Sequence, residues 1–307
     1  MPDRQQRAPW TWLLAGAILA VHASAWAAVV FEAQSPYHHI LVIDDRGRRV
    51  LSFDGTQETR MSLQDPLQGH FGYTELFHYA WLWNTNLSRV LMLGLGGGSS
   101  QRSFLHRYPQ VRVQSVEIDP IVVQVATNFF QVRISDRHRV QVEDGRVFLR
   151  RTRETYDLIL LDAYVKHRYG SQIPQHLATR EFFELARDRL STNGVLAYNV
   201  ITVSRLGGRD AAPALARTLL SVFPQVYTFQ AQDSLNAVLI ATRSARRLSN
   251  AELVQRGIQL ATSGLNAPPG LWQRVGSYRT SPPAGTQQAL VLTDDFAPVE
   301  SLDRRSR

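Results

Sequence analysis

A glycine-rich turn follows an apolar, strand-like run in the middle of the chain. The run Val90–Leu93 leads directly into the segment Gly94–Ser100, in which positions 94, 96, 97 and 98 are glycine. Glycines at such a strand-to-helix turn let the backbone approach a ligand, which the N-terminus of the next helix then faces. A dinucleotide-binding loop would have glycine in place of Ser99, and no lysine follows to bind phosphate. The turn is therefore expected to bind a ligand without holding a pyrophosphate.

Carboxylates close the next two strand-like runs. Glu117 is positioned to accept hydrogen bonds from both ribose hydroxyls of a nucleoside. Asp119 is either a second ligand contact or the cap of the following helix. Asp144 is either an acceptor for an adenine amino group or a helix cap, and Gly145 permits close approach. Three strand ends of this kind favour an S-adenosylmethionine-type nucleoside over a dinucleotide.

Asp162 ends a fourth apolar run, Leu158–Leu161. A carboxylate at the mouth of a buried strand can have a raised pKa and so act as a general base. It could also hold an amine cation against an electrophilic sulfonium carbon. The alternative is an aspartate that only accepts hydrogen bonds from loop backbone.

These residues fit an alternation of strands and helices, which predicts βαβ units and a mostly parallel sheet. The ligand crevice then lies at the carboxyl ends of the strands. Residues 29–62 are typical of short strands and turns and predict a small antiparallel sheet, and 73–83 are predicted to be helical. The other predicted strands are 90–93, 111–116, 140–142, 158–161, 195–198 and 237–240, and the predicted helices are 101–107, 121–130, 147–151, 179–190 and 211–222.

Composition narrows the classes of function. The chain has 307 residues, 44% hydrophobic and 20% charged, as in ordinary globular proteins. The absence of cysteine excludes disulfides, thiolate metal sites and a cysteine nucleophile. The net charge of +8 allows an anionic partner, but the basic run Arg146–Arg153 is expected to be a solvated helix face and not a nucleic-acid site. The spacing of His138, His167 and His176 does not suit a metal, and none is expected.

The N-terminal segment has the pattern of a targeting signal. Arg4 and Arg7 precede the apolar run Trp10–Val30, and small residues stand at 25 and 27. This pattern predicts a signal peptide over residues 1–27 and hence a periplasmic or extracellular protein. The alternatives are an uncleaved membrane anchor, which implies membrane association, and a buried helix.

Together these segments resemble the spermidine synthase (polyamine aminopropyltransferase) family, especially its divergent bacterial members. The resemblance runs from about Phe31 to Leu302. It is carried by residues 35–40, 53–55, 73–75, 94–98, 116–120, 144–146, 156–159, 162 and 179–183.

The resemblance implies an α/β, methyltransferase-like Rossmann fold with a mostly parallel seven-stranded sheet, preceded by a small N-terminal antiparallel β-domain. The domains are then residues 28–75 for the β-domain and 76–303 for the Rossmann-type domain, with a tail at 304–307. It also implies a small-molecule amine as partner and a homodimer. Decarboxylated S-adenosylmethionine or S-adenosylmethionine would be the co-substrate, and no cofactor would be bound permanently.

The resemblance also implies roles for single residues. Asp162 corresponds to the catalytic aspartate that takes the proton from the attacking amine. Around the nucleoside, the resemblance or the strand-end pattern assigns Gly94, Gly96, Gly97, Glu117, Asp119, Asp144 and Gly145. For the amine substrate the assigned residues are His38, Glu75, Tyr79 and Tyr164.

This chain departs from the family pattern at several positions. Ser99 and Ser100 stand where the family's glycine loop usually continues with an acid that recognises the aminopropyl amine. Val165 replaces a second aspartate that holds the polyamine, and His38 replaces a glutamine. The part of the site that binds the nucleoside is thus expected to be intact, and the part that binds the polyamine is expected to be depleted in acids.

Three functions remain open on the sequence. The first is transfer of an aminopropyl group from decarboxylated S-adenosylmethionine to an amine. The second is an S-adenosylmethionine-dependent methyltransferase, favoured by Ser99 and Val165. The third is a non-catalytic nucleoside- or polyamine-binding homologue, favoured by export. Serine hydrolysis and NAD-dependent oxidoreduction are not favoured.

Overall fold

The structure, a computed structural model, describes residues 27–167, 170–202 and 211–297. Nearly all of the leader, residues 1–26, and the tail at 304–307 lie outside this range. Within it, no helix has the length and apolar character needed to cross a membrane.

An antiparallel sheet of four strands forms the N-terminal part. The strands are β1 (Ala28–Gln34), β2 (His39–Asp45), β3 (Arg48–Phe53) and β4 (Thr56–Ser62), paired in chain order. Ile40 and Val42 alternate with more exposed neighbours, and together with Leu51 they pack against the helix at Pro120–Phe129. One face of the small sheet is thereby fixed on the larger domain.

A seven-stranded sheet forms the centre of the larger domain. Its strands are β5 (Arg89–Leu93), β6 (Arg112–Glu117), β7 (His138–Val142), β8 (Tyr156–Leu161), β11 (Leu190–Ile201), β12 (Gln225–Gln230) and β13 (Asn236–Thr242), and β9 (Val165–His167) and β10 (Gly170–Gln172) form a separate hairpin. The strand order is β12-β13-β11-β8-β5-β6-β7, and only β13 runs against its neighbours. The expected α/β fold with a mostly parallel seven-stranded sheet is therefore confirmed.

Helices cover both faces of this sheet, which buries an apolar cluster on each. They are α1 (Tyr73–Leu76), α2 (Ser99–Arg107), α3 (Pro120–Phe129), α4 (Gly145–Arg151), α5 (Arg180–Asp188), α6 (Ala212–Leu220) and α7 (Asn250–Thr262), with 3-10 turns at Phe77–Leu82, Gln175–Leu177, Gln273–Ser277 and Thr286–Gln288. The predicted helix at 73–83 is thus one α-turn followed by a 3-10 segment.

Besides the short hairpin of β9 and β10, sequence reasoning missed β12 and α7. The segment Gln225–Gln230 is rich in β-branched and aromatic residues, which is typical of a strand. Ser249 and Glu252 form a capping box at the start of α7, and their spacing in the sequence is a helix-start signal. Both elements could have been found from these patterns.

Candidate active site

A cavity of about 390 Å³ lies at the carboxyl ends of the central parallel strands. The ends of β5, β6 and β8 form one wall, and residues of β4 and the turn before it form the opposite wall. The small sheet therefore closes the crevice that the topology of the larger sheet opens. The described residues that line the cavity include six carboxylates and no lysine or arginine: Asp54, Glu58, Glu117, Glu143, Asp144 and Asp162.

Two of the predicted loop glycines, Gly94 and Gly96, line this cavity. Gly94 has φ +98°, and a Cβ there would lie 2.1 Å from the carbonyl oxygen of Asp162. Only glycine therefore allows the ends of β5 and β8 to lie so close. Gly97 does not line the cavity, because it packs against Thr59 of β4, and its N–H donates to the Thr59 hydroxyl over 2.9 Å. Its role is to join the loop to the small sheet.

Glu117 lies where the sequence placed it, at the end of β6 and on the cavity. One carboxylate oxygen accepts from the N–H of Leu95 at 2.9 Å and the other from the N–H of Asp119 at 3.0 Å. Burial raises the pKa of Glu117. Each oxygen keeps a second lone pair, so the carboxylate can still accept hydrogen bonds from a ligand.

Asp119 is not brought to the cavity. Its side chain accepts from the N–H of Ile121 at 2.8 Å and is fully buried as the cap of α3. The proposed ligand contact for Asp119 is therefore replaced by its alternative, the helix cap, because Pro120 starts the helix directly behind it.

Asp144 caps α4 and also lines the cavity. One oxygen accepts from the N–H groups of Arg146 and Val147 at the start of α4, at 3.0 and 2.9 Å. The other oxygen accepts from Nε2 of His176 at 2.8 Å, and this hydrogen bond is the main reason why the pKa of Asp144 is lowered. Asp144 and Gly145 both line the cavity, so a cap does not exclude a ligand contact.

Asp162 follows the last residue of β8 and lines the cavity. Its two carboxylate oxygens accept from the Tyr73 hydroxyl at 3.1 Å and from the Asn199 amide at 2.8 Å. Burial raises the pKa of Asp162 to about 6, although both hydrogen bonds lower it. A carboxylate with this pKa is ionised at neutral pH and can accept a proton from a reacting amine.

Two of the four predicted amine-binding residues lie on the cavity. His38 is stacked on Phe53 with ring centroids 4.4 Å apart, and its Nδ1 lies 3.1 Å from Asp54. Tyr164 donates its hydroxyl hydrogen bond to the backbone carbonyl of Asn199 over 2.9 Å. Val165 also lines the cavity.

The structure does not bring Glu75 and Tyr79 to the cavity. Glu75 pairs with His70 and Arg274. Tyr79 is fully buried in an aromatic cluster, and its hydroxyl donates to the carbonyl of Leu271 over 2.9 Å. Of α1 and the 3-10 segment that follows it, the residues that line the cavity are Tyr73 and Thr74.

Several cavity residues were not assigned a role from the sequence. Asn199 is a fully buried polar residue within the apolar strand β11, and such a residue is a signal for a functional contact. Glu58 follows the turn at Asp54, a position that only the fold brings to the crevice. Among the described residues, no group of His, Asp and Glu could hold a metal ion.

Comparison with known proteins places these features in a family. The family model described as "Spermine/spermidine synthase domain" matches residues 70–229. The polyamine aminopropyltransferase of Vibrio vulnificus is 32% identical over 294 residues, which cover 93% of this chain and 95% of that protein. A probable polyamine aminopropyl transferase of Bifidobacterium longum is 29% identical over 89% of this chain and 62% of its own length. A probable spermidine synthase from Corynebacterium glutamicum has the same fold, with a TM-score of 0.66 at 19% identity, over 87% of this chain and 97% of that one.

Proposed function

The chain belongs to the spermine/spermidine synthase family, and we propose that it transfers an aminopropyl group from decarboxylated S-adenosylmethionine to a small-molecule amine. The observation that carries this proposal is the charge of the cavity. Six carboxylates line it in a chain whose net charge is +8. Both the sulfonium donor and an amine acceptor are cationic, and a carboxylate-lined crevice stabilises such ligands by charge and by hydrogen bonds.

The nucleoside occupies the wall formed by the larger domain. Glu117 accepts from the ribose hydroxyls, because it lies between the glycine loop and the start of α3. Asp144 accepts from the adenine amino group, and Gly145 beside it leaves room for the base. The sulfonium then lies towards Asp162, which is hydrogen-bonded across the mouth of β8.

The acceptor amine occupies the wall formed by the small sheet. Val165 stands where the family has a second aspartate, and on this wall the carboxylates of Asp54 and Glu58 offset the loss of that acid. The part of the site that binds the polyamine is therefore less depleted in acids than the sequence suggested. A cationic end of the acceptor can lie near Glu58 while its reacting nitrogen faces Asp162.

The transfer needs one proton acceptor and correct alignment. The neutral amine nitrogen attacks the aminopropyl carbon that is bonded to sulfur, and the carbon–sulfur bond breaks with its electron pair going to sulfur. Asp162 accepts the proton that the new ammonium group loses, and methylthioadenosine leaves as a neutral thioether. Holding the two reactants in line in an acidic cavity supplies most of the acceleration.

The test is release of methylthioadenosine from decarboxylated S-adenosylmethionine and putrescine by the full chain. We expect Asp162→Asn to lower kcat by roughly 10²- to 10⁴-fold, the usual contribution of a general base. Glu75→Gln is a matched control, because Glu75 pairs with His70 and Arg274 outside the cavity. Equal activity of wild type and Asp162→Asn would show that Asp162 is not the base.

A second candidate is transfer of a group from S-adenosylmethionine itself. Ser99 and Ser100 stand in the first turn of α2 and line the cavity, and this first turn contains no acid. Hydroxyls and a helix N-terminus suit a carboxylate better than they suit an ammonium group. Product analysis separates the two candidates, since methyl transfer releases S-adenosylhomocysteine and aminopropyl transfer releases methylthioadenosine.

A further inference from the structure

Two asparagines connect the edge of the cavity to Asp162. Asn199 is fully buried on β11, and its amide nitrogen donates to the Asp162 carboxylate over 2.8 Å. The amide oxygen of Asn199 accepts from the amide nitrogen of Asn236 at 3.0 Å. Asn236 is the first residue of β13, which pairs antiparallel with β11 and brings this side chain to the cavity.

The direction of these hydrogen bonds follows from the donors and acceptors that an asparagine amide carries. An asparagine amide has one acceptor oxygen and two N–H donors. Because Asn236 donates to the oxygen of Asn199, the nitrogen of Asn199 must face Asp162. Reversing the Asn199 amide would bring its oxygen against a carboxylate and its nitrogen against a second nitrogen, so each hydrogen bond supports the other.

We propose that Asn236 and Asn199 form an amide relay that orients the Asp162 carboxylate and stabilises its ionised form. Both are positioning residues, because they act through Asp162. The inference rests on the proposed function only in that Asp162 is taken as the base. The relay itself is a property of the free protein.

Other groups that face Asp162 do not replace the relay. Tyr73 and Tyr164 both have pKa values raised well above their ordinary range, chiefly by burial, so both stay neutral. Glu58 lies across the cavity on β4, and as a carboxylate it has no hydrogen to donate to Asp162. Asn199 is thus the amide donor on Asp162, and Tyr73 holds the second oxygen.

The relay has a measurable consequence for titration. Burial raises the pKa of Asp162, and the hydrogen bond from Asn199 is the largest influence that lowers it again. Removing that donor should therefore raise the pKa of Asp162 further. A hydrogen bond to a charged group corresponds to roughly one to two pH units. The base would then be largely protonated near neutral pH.

The experiment is a ¹³C NMR titration of carboxyl-labelled aspartate in the full chain, with the Asp162 signal assigned from Asp162→Asn. Asn199→Leu removes the donor and keeps the branched shape of the side chain, and we expect the pKa of Asp162 to rise by roughly one pH unit or more. Asn236→Asp should raise it as well, because a carboxylate there draws the Asn199 nitrogen away from Asp162 and adds a negative charge. Asn236→Ala separates these effects: it adds no charge, and its expected shift is the smallest of the three.

A merely structural role of the asparagines would lower the unfolding midpoint without moving this titration. The inference is overturned if Asp162 titrates as in wild type in both Asn199→Leu and Asn236→Ala. Asn236 is only partly buried, so Asn236→Ala, which adds no charge, also serves if Asn199→Leu does not fold. The NMR readout requires no turnover. A shifted titration in a protein that transfers no aminopropyl group would refute the proposed function and leave the relay in place.

Discussion

Replacing Asp162 by asparagine is expected to stabilise the protein while it removes catalysis. Burial raises the pKa of Asp162 to about 6, from an ordinary value of 3.8. One pH unit of difference corresponds to about 1.36 kcal/mol. Keeping this carboxylate ionised in the folded state therefore costs up to about 3 kcal/mol at neutral pH.

The pH dependence of this cost has a definite sign. The folded state binds the proton of Asp162 more tightly than the unfolded state does. The contribution of Asp162 to stability is therefore fully present below pH 3.8 and is lost as the pH rises through about 6. Asparagine carries no charge and fits the same contacts: it accepts from Asn199 and donates to the Tyr73 hydroxyl, which can reverse its role.

The assay is urea unfolding of both proteins followed by tryptophan fluorescence at pH 4 and pH 7.5. Asp162→Asn should be more stable than wild type by up to about 3 kcal/mol at pH 7.5 and nearly equal to it at pH 4. Asp157→Asn at the start of the same strand is the control with the opposite sign. Burial raises the pKa of Asp157, but hydrogen bonds from Arg89, Ser191 and Ser88 outweigh it and lower the pKa overall, so the loss of this carboxylate should destabilise the protein at pH 7.5. A difference between wild type and Asp162→Asn that does not change with pH would refute the reasoning.

The other predictions concern turnover, binding and folding. The pH profile of kcat should fall below about pH 6 as Asp162 is protonated, and a profile flat to pH 4.5 would contradict a base with this pKa. Glu117→Gln should weaken nucleoside binding roughly 10- to 100-fold in calorimetry, as expected for loss of a charged hydrogen-bond acceptor, and unchanged affinity would place the ribose elsewhere. Gly94→Ala should unfold the site, because its Cβ would lie 2.1 Å from the Asp162 carbonyl oxygen. Gly47→Ala is the control: it is also at positive φ but in open space, and should lower the free energy of unfolding in urea by only about 1–2 kcal/mol. Equal losses of stability in the two variants would argue against the close approach.

The strand ends could be predicted from the sequence because parallel strands align their carboxyl ends at one edge of a sheet. Glu117 and Asp162 directly follow strand-like runs, Asp144 follows such a run after Glu143, and all three line the cavity. Local pattern alone could not decide between cap and ligand. Asp119 and Asp144 both cap the helices that follow them, but Asp119 is fully buried away from the cavity, whereas Asp144 lines it.

The wall of the cavity that the small sheet forms could not be predicted in the same way. Glu58 and Asp54 are distant in sequence from the central strands and reach the cavity only because the small sheet folds over it. Tyr79 fits a helical face equally well towards core or cavity, and the change from α-helix to 3-10 helix after Leu76 turns it into the core. The role of Asn199 depends on hydrogen bonds across two strands that are far apart in the chain.

Calorimetric titration of the full chain with decarboxylated S-adenosylmethionine and with S-adenosylmethionine tests the central claim most directly. If the cavity is the donor site of an aminopropyltransferase, the decarboxylated nucleoside binds, binds more tightly than the carboxylated one, and loses affinity in Glu117→Gln. Tighter binding of S-adenosylmethionine would move the assignment to the second candidate. Binding of neither nucleoside would contradict the account, because the walls formed by Glu117, Asp144 and Asp162 would then serve a different ligand.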